Sequence, residues 1–168
     1  DVGVAMRVAA EMGWPLTFRG GGTSLSGQAL SEGLTVDVLR HFRGMEILDG
    51  GLRVRVQPGL TIAQVNGALA RHGRKLGPDP ASSIACTIGG MIANNSSGMT
   101  CGTTANAYRT IDSMTIALPS GTVVDTASPQ ADDILRTNEP ALVEVLERLR
   151  DTLRGDKYRA DIERRYAI

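Results

Sequence analysis

Apolar residues at Val4, Ala5, Val8, Ala9 and Met12 recur at the three-and-four spacing of one helical face, and Gly13 follows where a helix takes a left-handed stop. The spacing predicts an opening helix. "PLTF" at 15–18 then predicts a strand running straight into the glycines at 20–22, and "GLTVDVL" at 33–39 predicts a second, so this part reads as a β-loop-β or βαβ-like layer. "MEIL" and "LRVRV" flank Asp49-Gly50-Gly51, a favoured tight turn, and predict a hairpin in which Leu52, Val54 and Val56 face inward and alternate with Arg53 and Arg55. Thr61 and Gln64 fit a capping box at the head of a helix whose buried stripe is Ile62, Val65 and Leu69 and whose end is marked by Gly73. "SMTIAL" and "TVV" around "PSG" predict another hairpin. Beyond Asn138–Pro140, Leu142, Val145, Leu146, Leu149 and Leu153 form a helical stripe.

One stretch fits neither period. "GPDPASSIACTIGGMIANNSSGMTCGTT" at 77–104 is dense in Gly, Ser, Thr, Asn and Pro, yet it contains Ile84, Ile88, Met91 and Ile92. A flexible linker has no use for those apolar residues, and a plain core helix has none for those glycines. The composition predicts an ordered small-residue surface wrapped on a ligand.

Composition narrows the ligand's class. At 168 residues the chain has the size of one ordinary domain, and with 42% hydrophobic and 21% charged residues it reads as globular. Lys plus Arg and Asp plus Glu both total 18, so no net field recruits nucleic acid or an anionic membrane, and the partner belongs to a local site. No apolar run approaches the roughly 20 residues of a membrane span. The start lacks a signal peptide's pattern; the expectation is a cytoplasmic protein, peripheral at most to the inner membrane. Cys86, Cys101, His41 and His72 stand outside metal-ligand spacing, and no metal is expected. A helix from the first residues, without an initiator Met, suggests a piece of a longer polypeptide.

The loop "RGGGTSLSGQ" at 19–28 gathers several backbone N–H groups at the end of a strand, which suits a phosphate. The nucleoside-triphosphate loop fails, because Gln28 and Ala29 stand where its Lys and hydroxyl residue follow the Gly22–Gly27 spacing. The dinucleotide fingerprint begun by Gly20 and Gly22 fails at Leu25. Alone, the loop is equally a ligand-free turn; paired with 77–104, it favours a ligand.

Together, "RGGGTSLSGQA" at 19–29, "RVQPGLTIAQVNGAL" at 55–69, "GPDPASSIACTIGGMIANNSSG" at 77–98 and "LPSG" at 118–121 resemble the FAD-binding domain of the p-cresol methylhydroxylase and vanillyl-alcohol oxidase superfamily. The resemblance is to the branch of FAD-linked D-2-hydroxy-acid dehydrogenases, including the glycolate oxidase flavin subunit and D-lactate dehydrogenases. It implies an α+β, two-lobed fold with small mixed or antiparallel sheets flanked by helices: a first lobe over 1–48, truncated at its start, a second over 49–127, and FAD between them. A helical extension, 128–168, is similar to the segment that precedes a cap domain in larger members, some of which add an iron–sulfur region.

The resemblance also implies roles. The pyrophosphate falls to Gly20, Gly21, Gly22, Thr23 and Ser24, with Gln28 close by. The ribityl chain and flavin ring fall to Pro80, Ser82, Ser83, Thr87, Gly89, Gly90, Asn94 and Gly98. Members that bond FAD covalently through the first loop carry a histidine where this chain has Thr23, so the FAD is expected to be non-covalent. Arg19 either pairs with phosphate or anchors the loop. Cys101 stands where many relatives have an aromatic residue, and it reads as a small packing residue. The implied reaction removes the C2 hydrogen of a 2-hydroxy acid as hydride to the flavin while a base takes the hydroxyl proton. No catalytic residue is identified, since His41 and His72 read as surface residues, and substrate chemistry is expected to need the absent cap domain. Substrate, electron acceptor and oligomeric state stay open. Two alternatives stand beside this reading: a reductase on a related flavin fold, of the cell-wall nucleotide-sugar type, and a non-enzymatic flavin-binding module.

Overall fold

The computed structural model describes residues 1–166. They fall into two compact units, one of Val4–Asp112 and one of residues 1–3 together with the chain from Ser113 onward. The architecture is α+β, with three two-stranded sheets among helices.

α1 (Val2–Met12), which belongs from Val4 onward to the first of these units, ends at Gly13, whose φ of 63° is the left-handed stop the sequence called for. β1 (Leu16–Arg19) and β2 (Leu34–Asp37) pair in parallel, Leu16 against Leu34 through Arg19 against Asp37. A parallel pair needs a long crossover. Residues 20–33 make it without a helix, so the glycine loop is the crossover itself.

β3 (Met45–Leu48) and β4 (Arg53–Val56) form the expected hairpin. The turn is wider than expected. Asp49, Gly50 and Gly51 all take positive φ in a short 3-10 turn that Leu52 closes with its N–H to the Asp49 carbonyl. Leu52 therefore lies outside the strand at 67% exposure, which corrects its expected inward place, while Val54 and Val56 are half-buried. α2 (Ile62–Leu69) carries the full capping box, with the Thr61 hydroxyl accepting from the Gln64 N–H and the Gln64 side chain accepting from the Thr61 N–H. Its stripe, Ile62, Val65 and Leu69, is the centre of the core, joined by Leu60, Cys86, Ile88, Met91 and Ala107. α3 (Ile88–Ala93) and α4 (Ala107–Thr110) complete this unit.

In the other unit, β5 (Thr115–Ala117) and β6 (Val123–Asp125) pair antiparallel around "LPSG". Helices α5 (Ala131–Asn138), α6 (Pro140–Arg154) and α7 (Asp156–Tyr166) follow. The Ser120 hydroxyl donates to the Glu139 carboxylate, and with Thr122 it holds that carboxyl below its ordinary range. The α6 stripe is helical as expected but stays open to solvent, with Leu149 52% exposed. The last two residues of the expected extension, Ala167 and Ile168, lie outside the described residues.

Candidate functional site

The first glycine loop docks on the second small-residue segment. A β-carbon at Gly20 would fall 2.1 Å from the Thr87 hydroxyl oxygen, and one at Gly21 would fall 2.2 Å from the Ala85 carbonyl oxygen. Neither position has room for a side chain. This is a reason for bare backbone at Gly20 and Gly21 that composition does not reveal: two chain segments meet there, Gly20 against the Thr87 side chain and Gly21 against the Ala85 backbone.

The docked surface is held from below. The Ile62 N–H donates to the Cys86 carbonyl, the Ile88 N–H to Leu60 and the Gly89 N–H to Pro58, while Thr61 and Thr87 form an antiparallel bridge. Thr87 is 1% exposed and its hydroxyl accepts the Gly90 N–H at 3.3 Å, capping α3. Thr87 is thus committed to packing both segments. At Gly89 a β-carbon would meet Pro58 at 2.7 Å, again an internal contact. Gly90, exposed beside it, has only ordinary contact at 3.5 Å from Thr87, so its missing side chain leaves an open surface.

Above the contact, the loop turns outward. Gly22 takes a φ of 63°, and Thr23, Ser24 and Gln28 are exposed, with the Ser24 hydroxyl donating to the Gln28 side-chain oxygen. Among the described residues, none of the N–H groups of Gly20 through Ser24 donates to a protein acceptor. Five successive donors on one turn match the demand of a bound phosphate group. Arg19 forms a pair with Asp37 on the neighbouring strand at 3.7 Å, which favours its anchoring role.

The second segment continues through Pro80, Ser82 and Ser83, all half-buried, where the Ser83 N–H closes a turn on the Pro80 carbonyl at 2.9 Å. Asn94, exposed at the end of α3, accepts from the Ser96 hydroxyl at 2.5 Å, and its amide N–H groups have no acceptor among the described residues. Gly98 lies against Asp79. The structure therefore brings Gly20, Gly21, Thr87 and Gly90 into one cluster, while Gly98 sits with Asp79 at the far end of the segment. Leu25 is fully exposed and Ile84 is 80% exposed, one aliphatic side chain on each segment facing outward.

Asp79 is the site residue that sequence reasoning passed over. Hydrogen bonds, first from Thr100 and then from Cys101, hold its carboxyl down to about 2. Its only signal was an acid between two prolines, which reads equally as a turn. Cys101 is half-buried, its sulfur near the carbonyls of Gly98 and Gly102. His41 is exposed, and His72, also exposed, borders an open depression of about 370 Å³ with Ile47, Gly67, Ala68 and Arg71. Among the described residues, no three potential ligands gather as a metal site, and no helix is long and apolar enough to cross a membrane.

Known proteins share this chain's pattern. It is 42% identical over 89 residues to glycolate oxidase subunit GlcD of Escherichia coli K12, covering 52% of this chain and 18% of that protein. It is 42% identical over 105 residues to D-2-hydroxyglutarate dehydrogenase of Pseudomonas putida, covering 58% of this chain and 10% of the relative. With the mitochondrial D-lactate dehydrogenase [cytochrome] 1 of Saccharomyces cerevisiae it shares 34% identity over 137 residues, covering 75% of this chain and 22% of that one. The chain thus spans less than a quarter of the length of each of these three relatives. Among solved structures, an alkyldihydroxyacetonephosphate synthase superposes with a TM-score of 0.63 at 21% identity, over 82% of this chain and 26% of that one, which shows a shared fold. Residues 1–127, which contain both docked segments, match the FAD binding domain family, and the chain belongs to that family.

Proposed function

We propose that this chain is the FAD-binding domain of a flavin-dependent oxidoreductase that oxidises a 2-hydroxy acid of the lactate, glycolate or 2-hydroxyglutarate kind, and that it holds FAD without a covalent bond. One observation carries the reading: five N–H donors, Gly20 to Ser24, with no acceptor among the described residues, stand on a loop whose base is locked against the second segment, in a chain of the FAD binding domain family.

The residues present fit FAD. Gly20–Ser24 offer N–H groups and two hydroxyls to the pyrophosphate, with Gln28 folded over the same turn. Pro80, Ser82, Ser83, Gly90 and Asn94 supply the polar, small-residue surface for the ribityl chain and ring, while Thr87, Gly89 and Gly98 shape it by packing. Exposed Leu25 and Ile84 supply apolar surface on the same two segments. When bound, FAD supplies the acceptor for the two electrons removed from a CH–OH group. Thr23, at the position where covalently linked members carry histidine, supports the non-covalent bond. The 2-hydroxy-acid substrate is supported by the names of three relatives, and substrate handling is assigned to parts of a longer protein outside this chain.

The test is the visible spectrum of protein purified in native buffer or mixed with FAD, before and after acid precipitation. Yellow protein that releases its flavin into the supernatant is expected. Flavin that stays with the precipitate would overturn the non-covalent assignment, and a chain that takes up no FAD would overturn the whole reading.

A further inference from the structure

We propose that Asp79 is a positioning residue of the flavin side of the site, tying the two ends of the second small-residue segment together so that Pro80, Ser82, Ser83 and Gly98 keep a fixed spacing. The proposal rests on the reading of residues 77–98 as that half of the FAD site.

The carboxylate bridges a long stretch of chain. Its Oδ2 accepts the Thr100 N–H and its Oδ1 the Cys101 N–H, each at 3.2 Å and across 21 and 22 residues of sequence. Gly98 makes room for it, since a β-carbon there would fall 2.0 Å from Oδ1 and 2.3 Å from the Asp79 carbonyl oxygen.

Neighbouring contacts grip the same segment. The Leu76 N–H donates to the Asn66 side-chain oxygen at 2.8 Å, fixing the start of the segment to α2. Gly77 lies against the Ala105 carbonyl oxygen, where a β-carbon would stand 2.7 Å away. On the other side, the Ser83 carbonyl accepts the Ala63 N–H at 3.1 Å. The turn at residues 80–83 therefore sits between two fixed points, and Asp79 joins that frame to the loop carrying Gly98. Both carboxylate oxygens are spent on amides, and a negative charge is an unfavourable contact for an anionic cofactor. Asp79 acts through its neighbours.

Asp79→Asn in the 168-residue chain tests this. The amide has the same shape, but its NH2 group must face one of the two N–H donors, so one bond is lost and a donor–donor contact replaces it. The expected result is an apo variant with unchanged far-UV circular dichroism, a Kd for FAD raised about tenfold, and an altered visible circular dichroism of the bound flavin. Asp79→Glu, which keeps the charge but displaces it by one methylene, reads the same quantities if the amide variant does not fold. Asp49→Asn, which weakens an exposed pair with Arg53, serves as a control that leaves both flavin readouts in place. A folded variant with the wild-type Kd and flavin spectrum overturns the proposal. So does a loss of affinity fully explained by the fraction of variant unfolded. Wild-type chain that takes up no FAD would instead sink the reading beneath it.

Discussion

The Thr87 hydroxyl oxygen occupies the place a side chain at Gly20 would need, 2.1 Å from where its β-carbon would stand. The first loop and the second segment are thus one packed unit, and the two positions are energetically coupled. Gly20→Ala forces a shift in a well-packed contact and is expected to cost about 1–3 kcal/mol. Thr87→Ala removes the cap of α3 at a cost of about 1 kcal/mol. In the double variant the new methyl gains part of the space the hydroxyl left, so the combined cost falls short of the sum. Urea denaturation of the four proteins measures this; strictly additive costs would show that the contact carries no energy.

That contact explains which features were legible in the sequence and which were not. The capping box at Thr61–Gln64 and the stop at Gly13 were visible because their chemistry is local: donor, acceptor and glycine lie within a few residues. Leu52 misled because strand alternation was extended into a turn whose three positive-φ residues consume the next position. The docking of Gly20 and Gly21 on Ala85–Thr87 leaves no periodic trace, so glycines serving that contact looked identical to glycines serving a ligand. Asp79 escaped for a similar reason, its partners lying more than 20 residues away.

Acid should loosen the second segment before it unfolds the rest. Asp79 titrates at about 2 in the folded chain against 3.8 for the free group, because Thr100 and Cys101 bond its charged form. A depressed carboxyl stabilises the fold fully above the unfolded value and loses that contribution as pH falls from about 4 through 2. Wild-type urea midpoints should fall across that window more steeply than those of Asp79→Asn. Parallel curves would remove Asp79 from the acid response.

Thr61→Ala separates stability from the site. Its side chain caps α2, while its pairing with Thr87 runs through the backbone and survives the substitution. The loss is expected to be about 1 kcal/mol, seen as a lower melting temperature, with the bound-flavin spectrum unchanged. A changed spectrum at full saturation would mean that the cap itself shapes the cofactor surface.

Gly90 offers the sharpest division between packing and ligand. It lies inside α3, exposed, with no positive φ, and an alanine there would make only ordinary contact with Thr87 at 3.5 Å. For the apo chain, Gly90→Ala replaces the poorer helix former by the better one and is expected to stabilise by about 0.5–1 kcal/mol. If the open surface at Gly90 is where the cofactor lies, the same methyl obstructs FAD, so melting temperature and Kd rise together. Gly89→Ala behaves differently, because its β-carbon would strike Pro58 at 2.7 Å and stability should fall. The pair is read by thermal melts and flavin fluorescence titration on the same preparations. A Gly90→Ala chain that is more stable and binds FAD as tightly as before would place the flavin elsewhere, and would leave packing against Pro58 as a constraint on Gly89 alone.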